Sequence, residues 1–332
     1  MNGFAAKRLT YVSLFSYYIF KYINYMKSLR ESLLDDDLIG KTDKMIKDEI
    51  KSFLKENYDG LIKISRKSNI DGKYEVSSTT DIGVKNRNIT SLTNGMFIWT
   101  KVGGYFNCSH CIRLESLEGA PEKVEGGFYC IGCDNLISLD GAPKKVGEKF
   151  NCANCRSLKT LKGAPKVVEK DFDCSECNSL KSLEGAPKEV GEGFYCYGCM
   201  SLNSLEGAPK EIERDFYCYS CKSLKSLDSA PKKVGRNFDC SNCVSLKSLK
   251  SSPKEVGGNF DCSGCKYLES LEGALKEVGG DFNCSYCDSL KLLDGAPKEI
   301  GGTFYCFNCA GQFTEDDVKK ISNVKNNIIC SK

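Results

Sequence analysis

A Cys-x-x-Cys pair returns every 22 residues, ten times, with no insertion between copies. The first cysteines are Cys108, Cys130, Cys152, Cys174, Cys196, Cys218, Cys240, Cys262, Cys284 and Cys306. The second are Cys111, Cys133, Cys155, Cys177, Cys199, Cys221, Cys243, Cys265, Cys287 and Cys309, and Cys330 alone stands outside the pattern. All eight prolines fall at one phase, Pro121 through Pro253 and then Pro297, with Leu275 taking that place in the eighth unit. One such unit holds too few apolar side chains to bury a core of its own. Stacked on copies of itself it makes a continuous one, so the period predicts a solenoid.

The unit reads V-G-G-x-F-x-C-S-x-C-x-S-L-x-S-L-x-G-A-P-K-x. Phe260 and Cys262 alternate with polar neighbours, the period-2 pattern of a short strand. Cys265, Leu268 and Leu271 follow at steps of three, which suits a tight, 3₁₀-like return. Gly-Ala-Pro makes a turn, and Val278 leads back toward the next strand.

The run F-x-C-x-x-C-x-x-L resembles the L-x-L-x-x-N/C-x-L signature of leucine-rich repeats. The whole unit is similar to the 22-residue class of those repeats found in bacterial and phage proteins. The likeness spans about residues 80–330, with Phe and Cys standing where Leu is usual on the strand. It implies a leucine-rich-repeat solenoid of the repeat α/β class, mostly β. A parallel sheet would line the concave face, with turns and 3₁₀ segments on the convex face.

Organisation follows from where the pattern frays. Residues 105–313 hold the ten repeats, and 80–104 hold a degenerate unit in which Ile82, Val84, Ile89 and Leu92 fit the apolar phases, as a solenoid cap should. Within 26–79, Met45, Ile46, Ile50, Phe53 and Leu54 share one face of a helix expected to start near Thr42. GLIKISRK and KYEVSS, joined through Asn69-Ile-Asp-Gly, read as a hairpin. In 314–332, Thr314 three residues before Asp317 resembles a capping box opening a closing helix, and NNIICSK can add a last strand. Residues 1–25 carry Lys7 and Arg8 before an apolar run from Tyr11 to Phe20, about half the roughly 20 residues that span a bilayer. An export signal or surface anchor is one reading of them. A packed helix, or an extension upstream of a start at Met26, is the other.

The cysteine spacing falls inside a zinc-site pattern, and a zinc-binding array of four-cysteine sites would hold five zinc ions on twenty thiolates. Zinc knuckles place Gly after the second Cys, where this chain has Ile, Asp, Arg, Asn, Met, Lys, Val, Lys, Asp and Ala. In the repeat register both cysteines point inward, and free Cys is a small buried hydrophobe that stacks well on copies of itself. Like cysteines in neighbouring strands have parallel Cβ vectors, against the convergence a disulfide requires. The preferred reading is a structural ladder of free thiols without cofactor or metal, which places the protein in a reducing, cytoplasmic compartment.

Forty-seven Lys plus Arg against 44 Asp plus Glu give a net charge of +3, which provides no global drive toward nucleic acid or membrane. The single histidine, His110, sits at a loop phase. No Ser-His-Asp set, nucleotide loop or H-E-x-x-H occurs, so a non-enzymatic chain is expected. Function is then sought on the exposed strand positions. The residue between Phe and the first Cys is Tyr129, Tyr195, Tyr217 or Tyr305 in four repeats and Asn or Asp in six, among them Asp173, Asp239 and Asp261. The residue after that Cys is Ile131, Tyr197, Tyr219 or Phe307 in the same four and Ser or Ala in the rest. Tyr195, Tyr197, Tyr217 and Tyr219 fall in adjacent repeats and should form one patch beside the acids. Tyrosine offers contact area and a polar tip at low entropy cost, so a monomeric scaffold binding a protein or peptide partner through its concave face is expected.

Overall fold

The computed structural model describes residues 36–67 and 73–330, with side chains for 43–65 and 73–330. The expectations for residues 1–25 and for the hairpin turn at 69–72 lie outside the described residues. The chain divides into two compact units, 1–55 and 56–332. The helix Asp36–Asn57 begins before the Thr42 expected of it. Ile50 and Leu54 are buried, whereas Met45, expected on the same face, is 73% exposed.

The second unit is a β-solenoid built on a 13-stranded sheet. Tyr58–Asp59 closes one end, antiparallel to Ile82–Val84 of the degenerate unit. From Ile82–Val84 onward every pair is parallel and in register: Ile82 with Phe106, Phe106 with Phe128, Phe150 with Phe172, and at the far end Phe304 with Ile328. The register is fixed by the alternation itself, because a slip of one residue would turn every Phe and Cys to solvent. All ten Phe side chains are fully buried. Their rings follow one another at 5.2–5.7 Å, close to the strand spacing.

Besides turns, the repeat carries a second parallel ladder that the sequence pattern left as a connection. Lys123–Val124 pairs with Lys145–Val146 and so on along the chain, each Val or Ile buried and its neighbour exposed. This ladder opens with the hairpin strands Ile62–Lys67 and Tyr74–Ser78, then Phe97–Val102. It runs as seven strands and then six, interrupted between Glu189–Val190 and Glu211–Ile212.

The steps of three between Cys and Leu are real turns: Leu136 N donates to Cys133 O, and Ala142 N to Leu139 O, both at 3.0 Å. In all ten repeats the residue just before the second Cys is left-handed, with φ between 54° and 68°. At the Gly-Ala-Pro turn Gly141 has φ 88°, and a Cβ there would lie 2.3 Å from Glu118 N of the preceding repeat. The prolines and Leu275 are buried, so they belong to the core as well as to the turn. Thr314 caps Glu315–Lys319 in a capping box with Asp317, after which Asn323–Val324 and Ile328–Cys330 extend each ladder by one strand.

Candidate binding face

The cysteines settle into two roles. The first Cys of each repeat faces the core beside Phe. The second donates its Sγ–H to the carbonyl of the first Cys one repeat back, at 3.1–3.4 Å, across nine consecutive junctions. The ladder bonds on either side are accepted by the residues before and after the first Cys, as at Tyr195 O and Tyr197 O, so the thiol satisfies the carbonyl left between them, which water cannot reach. All twenty repeat cysteines are free and buried. Burial pushes the Cys111 and Cys152 thiols up to about 12 and those of Cys174, Cys196 and Cys262 well above the ordinary range. Among the described residues no three His, Cys, Asp or Glu side chains gather where a metal ion could sit. The second cysteines are therefore donors as well as the small hydrophobes expected of both, and among the first cysteines Cys262 and Cys284 donate too, to Asn283 O and Tyr305 O.

The outward positions of the Phe strands bring the tyrosines together. Tyr195 and Tyr217 rings lie 5.4 Å apart, Tyr197 and Tyr219 stack at 4.6 Å with planes 2° from parallel, and Tyr217 meets Tyr219 at 6.2 Å. Tyr195 folds back over Gly193, where an added Cβ would stand 2.3 Å from the phenol oxygen, and Tyr129 folds likewise over Gly127. The Gly-Phe-Tyr order of those two repeats is therefore one unit of structure, a signal the sequence reading passed over. Tyr129 and Ile131 lie three repeats before the cluster, with Tyr129 edge-on to Tyr105. Tyr305 and Phe307 lie four repeats beyond it, with Phe307 against Tyr286. Neither pair joins the central four.

Where the first outward position is Asn or Asp, its Oδ1 accepts from the backbone N–H two residues on. Asn151 does so from Ala153, Asp173 from Ser175, Asp239 from Ser241, Asp261 from Ser263 and Asn283 from Ser285, at 2.8–3.1 Å. This Asx-type bond explains why the two columns vary together. A repeat either caps its own turn and follows with a small residue, or presents a tyrosine followed by a large one.

Acids flank the cluster on both sides: Asp173 is the cross-strand partner of Tyr195, and Asp239 that of Tyr217. Burial, then Asp171 and Asp215, raises the pKa of Tyr195, and burial raises those of Tyr217 and Tyr219. The phenols therefore stay protonated at neutral pH. On the Asp173 side Lys149 forms an ion pair at 3.2 Å and holds its Nζ 5.6 Å from the Tyr195 ring centre. Behind the same two repeats the Val ladder is interrupted, and an open cleft of about 990 Å³ lies there, lined by Val167, Val190 and Ile212.

Comparison with protein families, with curated proteins and with solved structures returned no match.

Proposed function

We propose that this chain is a non-enzymatic scaffold of leucine-rich-repeat type that binds a protein or peptide partner on the outer face of its Phe-x-Cys ladder. Tyr195, Tyr197, Tyr217 and Tyr219 form the centre of that face. The observation that carries the reading is the four-tyrosine cluster, with its stacked Tyr197–Tyr219 pair, held on the strand ladder and framed by acids. Large aromatic side chains with polar tips are the residues that dominate binding energy at interfaces. The twenty buried thiols fit a reducing compartment.

The test is the double variant Tyr195→Asn, Tyr217→Asn. Asn already occupies this column at Asn107, Asn151 and Asn283, where it accepts the turn N–H. Stability should therefore stay within about 0.5 kcal/mol of wild type. Affinity for a partner recovered with the intact chain should fall by at least about 2 kcal/mol. Retained affinity with retained stability would move the binding surface off this face.

A further inference from the structure

Charge on this face departs from that of the chain. The two outward columns, the residue before each Phe and the left-handed residue before each second Cys make forty positions in the ten repeats. They hold seven carboxylates and one cation, Lys149, in a chain of net charge +3. Lys149 is also the guide to what the face holds. It comes from the residue before Phe150, reaches Asp173 one repeat on, and lies over the Tyr195 ring two repeats on. An ammonium group thus sits between a carboxylate and an aromatic face, the arrangement in which both attractions act on one cation.

The other side of the tyrosine pair repeats those groups without the cation. Tyr217 lies beside Asp239, and Asp239 beside Asp261, in register on successive strands. Asp239 accepts from Ser241 N through Oδ1, and Asn283 donates to Asp261. Among the described residues neither acid has an ion pair, and burial followed by the charge of Asp261 raises the pKa of Asp239. The position is a carboxylate–tyrosine half-site whose counterpart across the cluster is filled by the chain's own lysine.

We propose that Tyr217, Asp239 and Asp261 receive a lysine or arginine side chain of a basic peptide segment, with the Tyr197–Tyr219 stack beside it as the floor for the rest of that segment. The inference deepens the binding-face reading and rests on it. A polyanion is the wrong partner, because seven carboxylates would repel it.

The test uses the full chain and fluorescein-labelled hexaarginine, with hexaglutamate as control, read by fluorescence anisotropy. Hexaarginine should bind, hexaglutamate should not, and raising NaCl from about 50 to about 300 mM should weaken binding several-fold. Asp239→Asn with Asp261→Asn should weaken it about tenfold, and Tyr217→Asn about fivefold. The two Asp changes keep the acceptor for the turn N–H and Tyr217→Asn supplies one, so the fold is retained. Lys149→Met should tighten binding about threefold by opening the second half-site. Asp281→Asn, an acid on the same face beyond Asp261, should change affinity less than about twofold if the site is local. Equal losses at Asp281 and Asp239, or no loss on removing Tyr217, would overturn the site in favour of diffuse attraction. If hexaarginine fails while the tyrosine double variant still loses its natural partner, the face stands and the cation chemistry is wrong. If that variant keeps its partner, the face itself fails.

Discussion

The two cysteines of a repeat should answer the same substitutions in opposite order. Cys196 is fully buried and its thiol has no hydrogen-bond partner among the described residues, whereas Cys199 Sγ donates to Cys174 O at 3.2 Å. Serine at 196 buries a hydroxyl without a partner and should cost about 1–3 kcal/mol. Alanine there leaves only a small void, about 1 kcal/mol. At 199 the ranking inverts. Serine keeps a donor within reach of the carbonyl and should cost about 0.5–1 kcal/mol, whereas alanine strands a buried acceptor and opens a void, together about 2–3 kcal/mol. Urea unfolding of Cys196→Ser, Cys196→Ala, Cys199→Ser and Cys199→Ala, each followed by far-ultraviolet circular dichroism, gives the four midpoints. Coupling between neighbouring repeats carries a local loss into the whole transition, so one junction suffices. The same order at both positions would refute the donor role. Equal and severe loss in all four, together with about five zinc ions per chain, would restore the ligation reading that the spacing first invited.

Four further outcomes follow from single positions. Glu176 holds φ 58° where other repeats use Gly, so Glu176→Gly should stabilise by about 0.5–1 kcal/mol, while Gly141→Ala, whose Cβ would meet Glu118 N at 2.3 Å, should destabilise by more than about 3 kcal/mol; thermal melts check both. Ser285 is fully buried with an Oγ that has no partner among the described residues, and the same column tolerates Ala153, so Ser285→Ala should stabilise by about 1 kcal/mol in urea unfolding. Asp239 has a folded-state pKa raised by burial and by Asp261, so its ionised form opposes folding. Its protonated form favours the folded state below the ordinary Asp pKa, and that advantage is lost as pH rises through the raised value. Asp239→Asn should therefore be more stable than wild type at neutral pH and equal to it in acid, as unfolding measured across that window would show; a gap that stays constant with pH would remove Asp239 from the charge argument.

Much of the solenoid was legible because its signals are periodic. Phe and Cys two apart specify a strand, ten copies specify parallel stacking, and a fixed 22-residue step specifies the register observed from Phe106 to Phe304. The Val ladder was harder to see. Within the repeats its strands are two residues long, with one inward side chain each, too short for alternation to register. The left-handed residue before the second Cys was hidden because His110, Glu176 and Tyr286 occupy it alongside Gly and Asn. Met45 misled for the opposite reason: it fits the helical period, yet a residue at the margin of an apolar stripe can satisfy the pattern and still face solvent.

The paired columns show why the face was only half readable. Sequence revealed that Tyr goes with a large neighbour and Asn or Asp with a small one, but gave no cause. The cause is a hydrogen bond: Asn and Asp reach the N–H two residues on, and tyrosine offers no acceptor there. Each tyrosine repeat therefore gives up a local turn bond, which contributes about 0.5–1.5 kcal/mol where it is made. Four repeats of ten do so, and the two that are adjacent are the two at which the Val ladder also breaks. Ring contacts at 4.6–6.2 Å among these tyrosines, one pair of them stacked, offset part of that loss. Departures from the locally best choice concentrate where a surface serves something other than the fold. Repeats five and six depart from it on both ladders at once, and the search for a partner belongs there.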